Sequence, residues 1–270
     1  MSILEAIILG LVQGATEFLP ISSSGHLLIV PDLFNLSEPS LTVIAVAHQG
    51  TLLAVLIYFW ADIWGIARGV LTGLQQRQPM ATTESRLGWY VMVGTIPAVL
   101  VGLPLSSRFD ELFTPTAAAI SLIITSLFLI IGERYLTGRK ALPEMSWGDA
   151  IFIGIAQVIA LIPGNSRSGI TISAGLVRGL DRATAARYSF LLGIPAIAGA
   201  GLLALLDLLQ ASDLRQQLPI LITTFLTSAI SGYLCIRFLI NWLKSHSLKV
   251  FIIYRITFGL FYLLFVWLVR

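Results

Sequence analysis

Residues 2–31 read SILEAIILGLVQGATEFLPISSSGHLLIVP, an apolar stretch broken midway by Pro20 and a run of serines. A second stretch, 146–177, reads SWGDAIFIGIAQVIALIPGNSRSGITISAGLV and is broken at Pro163-Gly-Asn-Ser-Arg-Ser-Gly169. Shifting the first by 144 positions aligns eight identities: Ser2 with Ser146, Ala6 with Ala150, Ile7 with Ile151, Gly10 with Gly154, Gln13 with Gln157, Ser22 with Ser166, Ser24 with Ser168 and Gly25 with Gly169. Glu5 meets Asp149, so each stretch opens with Ser-x-x-acid, a capping pattern for a helix N-terminus. A duplicated unit explains this agreement better than shared composition does. Each half of each stretch is shorter than the ~20 apolar residues that a helix needs to cross a bilayer.

Water is not the main solvent of this chain. Hydrophobic residues make up 56% of the 270 positions and charged residues 11%, where a soluble domain carries roughly a quarter charged. Mean hydropathy is +0.88. The net charge of +3 suggests nucleic acid at first sight, but the basic residues sit mostly between apolar runs, as membrane topology requires. No nucleic-acid partner is expected. The single cysteine, Cys235, lies in an apolar run and excludes a disulfide within the chain. Met1 to Ala6 carries Glu5 as its one acidic or basic side chain, unlike the basic leader of a signal peptide.

Six runs are long enough to span, at 42–60, 88–105, 116–132, 188–206, 218–236 and 250–269. The last contains Arg255, which is expected to snorkel toward the nearby interface. Connections at 61–87, 133–148 and 237–249 each hold three or more Lys or Arg, while 31–41 has none and 106–115 and 207–217 have one each. The positive-inside rule places the first three in the cytoplasm and the others outside. On that path residues 1–41 enter and leave from outside, and 146–177 from the cytoplasm. The expected fold is all-α: a polytopic membrane helical bundle of about six spanning helices plus two re-entrant helical hairpins in an inverted-topology repeat. One domain covers 1–270, with repeat 1 over about 1–133, repeat 2 over about 146–240 and an extra C-terminal span at 250–269.

Irregular backbone at membrane depth is tolerated where protein buries it or where it lines a wet cavity. The two breaks are therefore expected to meet. A new helix starts after each, near Ser22 and near Asn165, and two helix N-termini together suit an anion. The duplicated positions that differ carry the chemistry. Glu17 faces Leu161, Ser23 faces Arg167 and His26 faces Ile170. Ionisable groups inside a membrane default to functional readings. Gln13 and Glu17, four apart, share a helix face, as do Arg167 and Thr171; Ser22 and Ser23 lie one turn before His26. Arg suits bidentate phosphate binding. A carboxylate beside phosphate oxygens implies a bridging divalent cation or a role as acid or base. His48 and Gln49 lie within a span and are candidate cavity liners. Arg178, Arg182 and Arg187 read as topology signals, and Gln157 as structural.

Gln13-Gly-Ala-Thr-Glu17-Phe-Leu-Pro-Ile-Ser-Ser23-Ser-Gly-His26 and Pro163-Gly-Asn-Ser166-Arg167-Ser168-Gly-Ile-Thr171 resemble the two signature motifs of the undecaprenyl-diphosphatase family, the bacterial membrane phosphatases associated with bacitracin resistance. The resemblance covers essentially the whole chain, including Phe-Leu-Leu-Gly-Ile-Pro at 190–195. It implies hydrolysis of undecaprenyl diphosphate to undecaprenyl phosphate and phosphate in the bacterial cytoplasmic membrane, recycling the carrier for cell-wall synthesis. It places catalytic positions at Glu17, Ser23, His26, Ser166, Arg167, Ser168 and Thr171, and implies dependence on Mg²⁺ or Ca²⁺, with Glu17 as a metal ligand. The family's first motif opens with Glu or Gln, here Gln13, which leaves one carboxylate where two are otherwise available.

Taken together, Ser23, Glu17, His26 and Arg167 are the expected catalytic group, and Gln13, Ser22, Ser166, Ser168 and Thr171 the expected substrate-binding group. Ser23 attacks with His26 or Glu17 as base, or a water takes its place. Expected partners are a polyprenyl diphosphate lipid, the bilayer and, as one option, a second copy of the chain. Ser-Gly-His also occurs in vanadium-haloperoxidase-like phosphatases, but these need a second His soon after Ser-Arg, and none follows Arg167 before His246. A lipid or small-anion transporter is the competing class, because inverted repeats with broken helices are common there.

Overall fold

A computed structural model describes the backbone of residues 1–110, 114–138, 140–209 and 214–269, and the side chains of these except 106–110, 200, 202–209 and 214. The first broken stretch forms α1 (Ile3–Phe18) and α2 (Ser23–Phe34). The second forms α7 (Trp147–Ile159) and α8 (Arg167–Val177). At 1.5 Å per residue these four helices measure about 24, 18, 20 and 17 Å, all short of a hydrocarbon core of ~30 Å. Each pair packs on itself as a hairpin. Both carry the expected capping box, Ser2 with Glu5 and Ser146 with Asp149.

The remaining helices are α3 (Leu41–Tyr58), α4 (Trp60–Gln75), α5 (Thr83–Asp110), α6 (Pro115–Arg134), α9 (Arg182–Leu209), α10 (Leu214–Trp242) and α11 (Lys249–Val269). Among the described residues five helical segments are long and apolar enough to cross a membrane: α3, Thr83–Leu105 of α5, α6, Arg215–Trp242 of α10, and α11. The chain is thus a multi-pass helical membrane protein. The expected span at 188–206 falls on α9, whose last side chains lie outside the described residues, as do parts of the expected outer loops at 106–115 and 207–217.

The helices meet through small residues, the usual device where lipid supplies no hydrophobic drive between them. A Cβ on Gly10 of α1 would lie 2.8 Å from the Thr224 carbonyl oxygen of α10. At the duplicated position, a Cβ on Gly154 of α7 would lie 2.5 Å from the Gly94 carbonyl oxygen of α5. So α1 packs on α10 and α7 on α5; likewise α3 packs on α10 and α9 on α5, while α3 and α9 meet each other.

Two expectations need correction. Residues 61–87 are not simply a loop, because α4 occupies most of them. Its Trp60, Trp64, Leu71 and Leu74 are exposed and its Arg68 lies over the Trp64 ring, the amphipathic make-up of an interfacial helix. Arg255 does not snorkel. It has no exposed surface and donates to the Leu122 and Pro20 carbonyls and to the Thr125 hydroxyl.

Candidate active site

Pro20 has no amide hydrogen, and α1 ends just before it, with Leu19 in extended conformation. The chain then turns through Ser22 at φ +77° and restarts as a helix at Ser23, with the Ser22 hydroxyl accepting from the Gly25 amide. In the second hairpin Gly164 takes φ +83°, and the Ser166 hydroxyl accepts from the Gly169 amide at the start of α8. Gly164 also lies against Ala118, where a Cβ would come within 2.8 Å of backbone, so both conformation and space call for glycine. Each capping hydroxyl satisfies one first-turn amide, which leaves others at both N-termini for an anion.

The two breaks touch. The Gly164 amide donates to the Ser24 hydroxyl at 3.1 Å, and the Ser168 hydroxyl to the Leu19 carbonyl at 3.3 Å. At the centre stands Glu17, 8% exposed. Its Oε2 accepts from the Ser23 hydroxyl at 2.6 Å and from Gln13 Nε2 at 3.1 Å. Its Oε1 accepts from Arg167 Nη2 at 2.8 Å. Arg167 Nη1 donates to the Ser189 carbonyl of α9 at 3.0 Å. His48 Nε2 of α3 lies 3.6 Å from Glu17 Oε2, its Nδ1 being held by the Ile44 carbonyl at 2.8 Å. A cavity of about 420 Å³ opens over this group. Glu17, Ser23, Ser24, His48, Asn165, Ser166 and Arg167 give it a polar end; Leu27, Leu28, Leu41, Ile44, Ala196 and Ile197 give it an apolar wall.

Of the residues singled out from sequence, Glu17, Ser23, Ser166 and Arg167 line this cavity. Gln13 lies behind Glu17, fully buried, and its Oε1 has no partner. Ser22 caps α2, Ser168 ties the breaks together, and the Thr171 hydroxyl bonds the Arg167 carbonyl at 2.8 Å and the Ser189 hydroxyl at 2.6 Å. These last three shape the site from behind.

His26 points elsewhere. Its Nδ1 donates to the Ser22 carbonyl at 2.8 Å, which leaves Nε2 to accept the Tyr254 hydroxyl at 2.7 Å. Its ring stacks on Phe258 at 4.7 Å between centroids. The helical spacing that puts His26 below Ser22 is real, but it directs the imidazole onto α11.

His48 and Gln49 do line the cavity, as their place in a span suggested. Ser189 and Gly193, which pack against Arg167, and Arg255, which holds the Pro20 carbonyl, were not singled out for the site from the sequence. The signals were the polar Ser189 and the small Gly193 within an apolar span, and a charge in the last helix.

The donor set does not match a resident divalent cation. Among the described residues Glu17 is the one carboxylate on the cavity wall, and its oxygens already face a guanidinium, a hydroxyl and an amide. Among the described residues no three His, Cys, Asp or Glu side chains cluster for a metal, whereas Mg²⁺ and Ca²⁺ look for several oxygens, carboxylates foremost.

Fold and site together define a polytopic helical membrane protein with a cavity that sets a cluster of polar and charged side chains beside apolar ones. The family model for the bacitracin resistance protein BacA matches residues 6–261, and the chain belongs to that family. An undecaprenyl-diphosphatase of Thermomicrobium roseum is 45% identical, with 98% of each chain covered. One from Chlorobaculum tepidum is also 45% identical, over 96% of this chain and 95% of its own. One from Myxococcus xanthus is 44% identical over 96% and 87%.

Proposed function

We propose that this protein is a hydrolase that cleaves undecaprenyl diphosphate to undecaprenyl phosphate and inorganic phosphate in the bacterial cytoplasmic membrane. The observation that carries the reading is the contact of Ser23, Glu17 and Arg167 at the junction of the two hairpins. Relatives at 44–45% identity bear the name of that activity. The apolar wall of the cavity suits the prenyl chain and the polar end suits the diphosphate.

In the resting site Arg167 is held by Glu17. An incoming diphosphate offers the guanidinium a stronger, bidentate partner and frees the carboxylate. Ser23 is already oriented, its hydroxyl donating to Glu17. Glu17 takes the Ser23 proton as Oγ attacks the terminal phosphorus; the Oγ–P bond forms and the bond from phosphorus to the bridging oxygen breaks. The electron pair leaves on undecaprenyl phosphate. Arg167 and the amides at the start of α2 and α8 offset charge on the phosphoryl oxygens. Glu17 passes the proton it took to the departing undecaprenyl phosphate and is a carboxylate again. Water then attacks the phosphoserine and gives a proton to Glu17, the Oγ–P bond breaks, phosphate leaves and Glu17 returns the proton to Ser23 Oγ. His26 takes no proton here, because both its nitrogens are engaged away from the cavity.

Among the described residues lining the cavity a divalent cation would find only the already engaged Glu17 carboxylate to hold it, and it is given no role in the reaction. The same arrangement supports the reading of the halves as inverted repeats: duplicated glycines at 10 and 154 pack against exchanged partners.

Phosphate release from undecaprenyl diphosphate by purified protein separates hydrolysis from lipid transport. Ser23→Ala is expected to lower turnover by ~10³-fold or more while the lipid still binds. Wild-type turnover in that variant removes Ser23 from the chemistry.

A further inference from the structure

Arg255 ranks among the largest fully buried side chains described, with 0% exposure. No carboxylate among the described residues is within ion-pair distance of it. All of its recorded hydrogen bonds go to neutral acceptors. From α11 its Nε donates to the Leu122 carbonyl at 3.2 Å and Nη2 to the Thr125 hydroxyl, both on α6. Its Nη1 donates to the Pro20 carbonyl at 3.2 Å, in the break of the first hairpin. A Cβ on Gly169, in the first turn of α8, would lie 3.1 Å from the same Nη1. The guanidinium thus fills a wedge bounded by α6, the first break and the helix that begins with Arg167.

A charged group in this position is costly, and it persists only where every donor has something to hold. The break supplies the reason for holding. Glu17 and Ser23 are six residues apart, and their 2.6 Å contact spans the turn through Pro20. That turn contains Ser22 at φ +77°, a conformation a non-glycine residue adopts at a cost and keeps only when its surroundings impose it. Of the turn's carbonyls, Pro20 is the one that Arg255 grips. A planar fork with several fixed donors can bond two elements at once, which a single ammonium cannot reproduce.

We propose that Arg255 is a positioning residue for the reaction: it clamps the Pro20 carbonyl to α6 and thereby sets Ser23 against Glu17, opposite Arg167. This rests on the hydrolytic reading of the pocket. Arg255 touches neither the cavity nor the reacting atoms. Its effect is transmitted through one turn of backbone.

The test uses the full chain in detergent, with phosphate release from undecaprenyl diphosphate measured per folded molecule alongside thermal unfolding. Arg255→Gln is expected to lower kcat by ~10²-fold, as misplacement of reacting groups by an ångström does, with KM changed less than ~threefold. Arg255→Lys, which keeps the charge and part of the reach, should recover kcat to within ~tenfold of wild type. Thr125→Val removes one acceptor without exposing the charge and should lower kcat by ~threefold or more at unchanged KM.

A wild-type kcat per folded molecule in Arg255→Gln, or losses confined to KM, would overturn the proposal. If Arg255→Gln does not fold, Thr125→Val decides: a wild-type kcat there overturns it equally. A wild-type protein that releases no phosphate sinks the hydrolytic reading itself, which is a separate outcome.

Discussion

Gly193 stands where α9 passes Arg167. A Cβ there would run into Nη1 and Cζ of the arginine, so any larger residue takes the space that the guanidinium occupies. Gly193→Ala is expected to lower kcat/KM by ~10- to 10²-fold through displacement of Arg167, with little change in thermal unfolding. Phosphate release and a melting curve on the same sample check both halves of that statement. Glu17, Ser23 and Arg167 were legible from the chain because ionisable or repeated polar groups inside a membrane need a reason to be there. His26 met the same criterion, yet its ring meets Tyr254 and Phe258 of α11 rather than the cavity, since spacing along a helix tells which residues share a face and not what that face meets. Arg255 was misread for a related cause: sequence gives a residue's distance from the end of its helix, not its depth in the bundle.

At the scale of elements, the second hairpin is anchored at its entrance by Asp149, which has no exposed surface. It accepts from the Arg178 Nε at 2.8 Å and from Lys140 Nζ at 3.2 Å, besides the Ser146 amide. The basic residue read as a topology signal thus also fastens a helix. Burial pushes the Asp149 carboxyl up, but the Ser146 amide and hydroxyl together with Arg178 and Lys140 outweigh it and hold its pKa below the ordinary value. A depressed pKa in the folded state stabilises fully above the unfolded value of ~3.9 and is lost as pH falls through the folded one. Wild-type protein should therefore lose thermal stability more steeply below pH ~4 than Asp149→Asn does; parallel curves would remove Asp149 from the acid response.

The hairpins themselves were readable from Pro, Ser and the capping pattern. The α4 helix was not, because its Arg68 and Gln75, with the Gln76-Arg77-Gln78 that follows, look like a polar connection until its exposed tryptophans are seen on one side.

For the molecule as a whole, the cavity has a polar end between the hairpins and an apolar wall from α2, α3 and α9. On the proposed reading a lipid substrate is expected to reach the polar end along that wall rather than through water. Ile44→Trp, which fills part of the wall, should raise KM for undecaprenyl diphosphate by ~tenfold and leave a short-chain prenyl diphosphate nearly unaffected. Competing-substrate assays with the two lipids measure the ratio directly, and an equal effect on both would place the chain elsewhere.

The Glu17–Arg167 contact also has a bearing on the end of the catalytic cycle. Each departing phosphate leaves behind a carboxylate and a guanidinium poised to rejoin, so product competes with an internal counter-ion for its own binding site. On that reading the protein is expected to shed phosphate readily and to ignore stray inorganic anions, answering chiefly to ligands whose greasy tail keeps them in place long enough to pry the pair apart.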